Sequence, residues 1–405
     1  MTTRFPKDYD QIVITIDGVD VSGIVGQTEI YQDIFSPVWS ATLMFYDTQN
    51  QLMNLPIMPG SEVEILLETS APKPCKGKKT FNFIVYKIDN REMVKQETYT
   101  YIVRCIAPEY FDDQKSRISK AYDGTTDKIA RSIINDSDVF GDITKSSSDS
   151  NRYNVIVPNL SPFAAIEWLT IFSKTKNAGA DFCFFQTDEG QFAFSSIEDM
   201  FNDRTDLSLK QIIPNAKKES QDVDDAFISI QQYQFINQFD ALPNFDMGFF
   251  GSKTLSHDII NKKFTTSTFN YGDDLATDKT YAPFKGDIFE NAGNANISFV
   301  PVHGGVMEKG LVPNETHKQW KGSRKSSIMK LETNRLLVDI PGHVCLYDQL
   351  GRTIQVLLPS HQDSTKDRHD KYLKGDYLVT AIRHVIAKEY TIFMELSKKR
   401  MSEKY

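Results

Sequence analysis

Apolar residues recur at every second position through most of the first hundred residues, the period of a strand with one face buried. Gln11-Ile12-Val13-Ile14-Thr15-Ile16 leads through Asp17-Gly18 into Val19–Val25. Asp-Gly between β-branched runs predicts a hairpin. Strands are expected at Trp39–Tyr46 and, after a Met58-Pro59-Gly60 turn, at Glu62–Leu67. A short helix is expected from Asp47 to Leu55, closed by Pro56. Phe81–Ile88 and Glu97–Ala107 predict a long hairpin with Asp89–Lys95 at its tip. Strands at this spacing imply a sandwich or a small barrel.

At Pro108 the period changes. Glu109–Tyr122 and Thr126–Ile134 read as helices, the second with Thr125 or Thr126 at its N-cap. Lys145–Asn151 reads as a polar loop and Tyr153–Val157 as a short strand. Ser161-Pro162 opens the clearest helix, with Ser at the N-cap and Pro in the first turn. Phe163, Ile166, Leu169 and Phe172 mark its buried face, widened by Trp168 and Ile171. Gly179 can close it. Asp181–Thr187 and Gln191–Ser195 predict a hairpin around Asp188-Glu189-Gly190.

Ala226–Phe235 is again a strand, followed by an irregular, Asn-, Gly- and Phe-rich stretch from Asn237 to Gly310. Strands are expected there at Lys253–Ile260 and Lys263–Tyr271, and loop at Asp273–Asn296. So much loop inside a folded chain points to contacts with other molecules. Lys318–Glu332 reads as a basic helix. Strands follow at Arg335–Ile340, Gly351–Leu358, Gly375–Ile386 and Tyr390–Leu396, with a charged loop at Ser360–Lys374. Ile340-Pro341-Gly342 precedes this last hairpin as Met58-Pro59-Gly60 precedes the early one, which suggests two similar β-domains.

At 405 residues the chain exceeds one ordinary core, and two to four domains are expected. Aromatics at 12% favour β structure. The net charge of −8 is uneven: acid is in excess over the first 300 residues and base over the last stretch. An acidic body argues against binding nucleic acid through its phosphates, which needs clustered positive charge. It is compatible with a surface that DNA slides past. Cys75, Cys105, Cys183 and Cys345 form no C-x-x-C pair, so neither a disulfide framework nor a zinc site is expected. A reducing compartment is expected instead. The polar N-terminus is not expected to act as a signal peptide, and no apolar run approaches the roughly 20 residues that span a bilayer.

Catalytic fingerprints are missing. The sequence has no G-x-G-x-x-G, Walker loop, G-x-S-x-G or H-E-x-x-H. All seven His lie after residue 256. Asp367-Arg368-His369-Asp370 is the densest polar cluster, but adjacent residues of a charged loop rarely converge on one ion. His384, beside Arg383, reads as a packed or edge residue of a strand. Asp224-Asp225 and Asp273-Asp274 are carboxylate pairs that sequence cannot place in a cleft. No catalytic, metal or cofactor residue is assigned, and the chain is not expected to be an enzyme.

Several stretches together resemble the central hub protein of contractile-tailed phage baseplates. They are Asn237–Asp240, Gly248–Lys253, His257-Asp258-Ile259, Phe269-Asn270-Tyr271, and the ending Gly375–His384 with Tyr390 and Glu395-Leu396. The helix at Ser161–Phe172 and the Phe-rich hairpin after it fit as well. The resemblance implies an α+β, predominantly β fold: two tube-type antiparallel β-barrel domains with an inserted α+β region. The first barrel is expected at 1–108, the insert at 109–215 and 241–330, and the second barrel at 331–405. A strand from 216–240 is expected to join the second barrel. The implied assembly is a homotrimeric, pseudo-sixfold ring between the tail tube protein and the central spike protein, with baseplate wedge proteins around it. DNA would pass through its lumen. The implied location is the virion tail baseplate, assembled in the host cytoplasm. The basic end, Lys398, Lys399 and Arg400, is expected to dock a neighbour. Two other readings stay open. One is the hub of a related contractile injection or secretion system, which differs in carrying a fused spike. The other is a tail-associated peptidoglycan hydrolase.

Overall fold

The computed structural model of the protein describes residues 6–48, 57–69, 77–95, 98–149, 151–175, 179–211, 228–238, 241–259, 261–271, 292–302, 317–360, 369–370 and 372–398. The early strands are β1 (Gln11–Ile16), β2 (Val19–Asp20), β3 (Val25–Asp33), β4 (Ser40–Asp47), β5 (Glu62–Thr69), β6 (Gly77–Lys95) and β7 (Thr98–Ile106). The middle of the chain forms α1 (Pro108–Lys115), β8 (Ile118–Gly124), α2 (Thr126–Asn135), β9 (Asp142–Ser146), β10 (Tyr153–Leu160), α3 (Pro162–Phe172), β11 (Phe182–Asp188), β12 (Gln191–Ser196) and α4 (Ile197–Asn202). Next come β13 (Arg204–Gln211), β14 (Ser229–Ile230), β15 (Gln232–Gln238), α5 (Ala241–Met247), β16 (Gly251–Asp258), β17 (Lys263–Asn270), β18 (Ile297–Val302) and α6 (His317–Glu332). The chain closes with β19 (Asn334–Pro341), β20 (Thr353–Leu357), β21 (Gly375–Ile386) and β22 (Tyr390–Lys398). The protein is predominantly β, and most of its strand pairs are antiparallel.

Fourteen strands share one hydrogen-bonded sheet with two halves. In the early half the order is β2-β1-β5-β6-β7-β4-β3. β2 runs through residues 21–24 into β3, so the two ends of this path belong to one bent segment. Within the bend Val21 donates its N–H to Ile14 and Tyr46 donates to Ile24. The late half follows β15-β19-β22-β21-β20-β13-β14. Here β14 runs through Gln231 into β15, and Gln231 donates to Asp339 in the bend. Each half buries the alternate residues of its strands. On β5, Val63, Ile65 and Leu67 point inward while Glu62 and Glu64 face solvent. The positive φ of Asp17 and Gly18 makes the expected tight turn between β1 and β2.

Packed against both halves is a smaller α+β layer. Here α2 and α3 cover two small sheets, β8–β10 and β11–β12–β9. Phe163, Phe184 and Phe192 meet with centroids 5.3–5.5 Å apart. Ser161 caps α3, accepting from the N–H of Ala164 at 3.4 Å. Phe163, Ile166, Leu169 and Phe172 are buried as expected. Ile171, expected to widen that face, is instead 39% exposed.

Two other expectations change. The helix read at Glu109–Tyr122 ends at Lys115, where Ser116 turns to extended backbone. Residues from Ile118 pair with β10 instead, burying Ile118 and Tyr122 in the middle core. Lys145 and Ser146, read as loop, lie on β9, which pairs in parallel with β12. In both cases a partner strand supplies backbone hydrogen bonds that local propensity does not foresee. Asp47, expected to open a helix, is instead the last residue of β4; residues 49–55 of that expected helix and most of the loop at Asp273–Asn296 lie outside the described residues.

Gly342 follows the last residue of β19 and donates its N–H to Tyr390 at 2.8 Å. A Cβ there would fall inside the fully buried Tyr390 ring. Gly342→Ala is expected to destabilise the protein by about 1–3 kcal/mol, read as a lower thermal unfolding midpoint. An unchanged midpoint would show that Tyr390 can yield.

Candidate functional site

The chemistry-bearing side chains gather where the early half, the late half and the middle layer meet. β3 and β21 join the halves edge to edge, in register from Asp33 opposite Ala381 to Thr28 opposite Ile386. One face of this ladder is ionic. Arg383 donates to Glu29 through Nε at 3.1 Å and through a terminal nitrogen at 2.7 Å. Tyr31 donates its hydroxyl to the same carboxylate, and Gln27 adds a bond at 2.5 Å. Burial pushes the Glu29 carboxyl up, but the hydrogen bonds from Arg383 and Tyr31 outweigh it and leave it below the usual range. The Arg383 guanidinium also sits 5.8 Å from the ring centroids of Tyr31 and Phe393.

The opposite face is neutral and buried. His384 Nδ1 lies 2.7 Å from the Tyr390 hydroxyl, and its Nε2 lies 3.4 Å from Gln32 Oε1. His343 is also buried, and neither of its ring nitrogens meets a hydrogen-bond partner among the described residues. Burial lowers the pKa to about 4 for His343 and about 3 for His384.

A second joint fixes the middle layer to the early half. The Trp39 N–H groups clasp Gln186, with the backbone on Oε1 at 2.8 Å and the indole on its carbonyl at 2.9 Å. Gln186 passes a bond to Glu109, which also accepts from the N–H of Gly190 at 2.7 Å. Lys79 pairs with Asp188 at 2.5 Å, and Asn82 with Glu189. The β11–β12 turn is thus plugged into the early half. Trp39 and Phe81 meet Tyr347 of the late half at 6.5 and 6.4 Å.

The joint contains no reactive constellation. His384 is walled in, and Asp370 caps the backbone of Tyr372 and Leu373. Among the described residues no three His, Cys, Asp or Glu side chains are placed to hold a metal ion. Asp224-Asp225, Asp273-Asp274, Asp367 and Arg368 lie outside the described residues. Lys398 is only 4% exposed. Its ammonium donates to the carbonyls of Tyr372 and, at 3.0 Å, Lys374, and burial pushes its pKa down to about 8. That charge is spent inside the chain. Lys399 and Arg400 lie outside the described residues.

Sequence reasoning missed Glu29, Trp39, Glu109 and Gln186 as joint residues. Glu29, Tyr31 and Asp33 at alternate positions of β3 were a visible sign. Arg383, the partner of Glu29, is 354 positions away.

Two solved structures share this fold over nearly their whole length. A tail protein from Neisseria meningitidis MC58 is similar with a TM-score of 0.56 at 9% identity, over 96% of this chain and 96% of that one. The 43 kDa tail protein of prophage MuSo2 from Shewanella oneidensis is similar with a TM-score of 0.55 at 9% identity, over 96% of this chain and 98% of that one. No protein-family model and no curated protein sequence matches the chain. The chain therefore has the fold of these tail proteins, a likeness of structure at very low sequence identity.

Neutral burial of His343 predicts a pH effect. Below about pH 6.5 the unfolded chain takes up a proton that the folded His343 refuses until about pH 4. Wild-type stability is therefore penalised by His343 as pH falls through that window. His343→Phe removes the penalty. Whatever its offset at pH 7.5, the variant is expected to gain on wild type by roughly 1.4 kcal/mol per pH unit within the window. Urea midpoints at pH 7.5 and 4.5 test this, and parallel shifts of the two proteins would contradict it.

Proposed function

We propose that the chain is a structural baseplate hub, forming a trimeric, pseudo-sixfold ring that joins a tail tube to a cell-puncturing spike. The observation that carries this reading is the doubled architecture. Two seven-strand paths each begin and end on one bent segment, 19–33 in the early half and 229–238 in the late half. They stand side by side through β3 and β21. We read each path as a tube-type barrel, the first over 1–108 and the second over 331–405 with the strand from 216–240. The remainder, 109–215 apart from β13, which the late path takes up, and 241–330, is the insert. Two such units per chain supply six around a threefold axis, a fit for a sixfold tube on one side and a threefold spike on the other. The tail-protein fold supports the same placement in a virion.

In this reading the role is mechanical. Closed rings leave no free sheet edges and resist opening. An acidic lumen repels DNA and lets it pass during ejection. The implied partners are a second and third copy, the spike, the tube protein and wedge proteins, assembled in the host cytoplasm into the tail baseplate. The basic end contributes to docking through Lys399 and Arg400, while Lys398 anchors β22 from within.

Light scattering of the purified protein across a concentration series tests the ring. The expected mass is three times that of the chain, alone or on adding the spike protein. A monomer under both conditions would overturn the proposal.

A further inference from the structure

The two halves match beyond their strand order. Along the two paths β5 corresponds to β20, β6 to β21, β7 to β22, β4 to β19 and β3 to β15. The match reaches single residues. Gly60 donates its N–H to Val85, which donates back to Ser61; Gly351 donates to Val379, which donates back to Arg352. Both glycines have positive φ. Each hairpin then bulges at the same place, between Val85 and Lys87 and between Val379 and Ala381. Residues 87–92 of β6 therefore correspond to residues 381–386 of β21. Followed through β7 and β4, and through β22 and β19, the ladders match Thr28, Glu29 and Ile30 of β3 to Tyr233, Gln234 and Phe235 of β15.

The halves differ in how these edges are filled. Residues 381–386 carry β3 on their second edge. β5 leaves β6 at Ile84, and among the described residues no strand pairs with the second edge of 87–92 or of β15. Burial follows the pairing. At the occupied edges Thr28, Ile30, Ile382, His384 and Ile386 are all buried. At the free edges their counterparts Tyr233, Phe235 and Ile88 are only half-buried, and Asn90 and Glu92 are exposed. A free edge offers its N–H and C=O groups as a template for another strand. The internal joint shows which strand fits, because it sets a β3 edge against a β21 edge. The two free edges are the counterparts of these same two.

We propose that β15 of one copy of this chain pairs with residues 87–92 of β6 in the next copy, in the register of the β3–β21 ladder. The contact is head to tail, so a ring can close. Three copies joined this way repeat the internal joint between chains, so early and late halves alternate and every such edge is filled. This deepens the ring reading, on which it rests, by naming the surfaces that close the ring. In that register Gln234 stands opposite Arg91, as Glu29 stands opposite Val385 within the chain. Both side chains are exposed.

The test uses the full chain under the conditions in which wild type assembles, with the spike protein where assembly requires it. Arg91→Cys and Gln234→Cys combined in one chain, after mild oxidation, are expected to give covalent dimers and trimers on a non-reducing gel. Either substitution alone should give none. Light scattering over a concentration series adds a test of sign. Gln234→Glu puts an acid opposite Arg91 and should lower the concentration at which the assembly dissociates by about threefold, whereas Gln234→Lys should raise it by about as much. Assembled double-cysteine protein that does not cross-link, or Glu and Lys variants that dissociate at the wild-type concentration, overturns this interface and leaves the ring standing. A wild type that stays monomeric, with and without the spike protein, overturns both.

Discussion

The rest of the molecule depends on the six-residue register between β3 and β21. Without it the early and late halves would be two separate sheets joined by mobile side chains. With it, backbone hydrogen bonds run unbroken from one half to the other, and the relative angle of the halves is set by strand geometry. The bidentate Arg383–Glu29 pair closes one face of the ladder, and bidentate geometry adds direction as well as energy. His384, Tyr390 and Gln32 fill the other face with a neutral network. The Trp39–Gln186–Glu109 clasp then locks the middle layer to the same corner. Such a corner leaves the two halves little freedom to hinge, which suits the mechanical role proposed above.

How much of this was legible depended on the distance over which the cause acts. The β1–β2 hairpin was readable because Asp17-Gly18 carries its own turn geometry. The start of α3 was readable because Ser161 and Pro162 act within one turn. β8 was misread as helix because its strand character comes from β10, about thirty residues on. β9 and β13 were missed for the same reason, as each pairs in parallel with a strand far along the chain. The joint was the least legible part. Glu29 and Arg383 sit in ordinary strand positions, and nothing local marks them as partners. Lys398, expected to dock a neighbour, donates to the carbonyls of Tyr372 and Lys374 in the segment before β21, contacts that nothing near it in sequence announces.

The exposed surface and the core place different demands on the sequence. The two large half-sheets obey the usual alternation, with Val63, Ile65 and Leu67 inside and Glu62 and Glu64 outside. The β16–β18 sheet breaks it, hiding hydroxyls and displaying rings. Among the described residues nothing covers the displayed rings, and a local rule broken in this way marks a functional surface.

Native-state hydrogen exchange of the β3 and β21 amides tests the central claim most directly, that the two halves form one rigid body through this ladder. The account predicts that core amides of both halves, and those of the ladder between them, exchange with one free energy and one denaturant dependence, equal to those of global unfolding. If the ladder amides open first, or the two halves exchange with distinct free energies, they are separate bodies and the account is wrong.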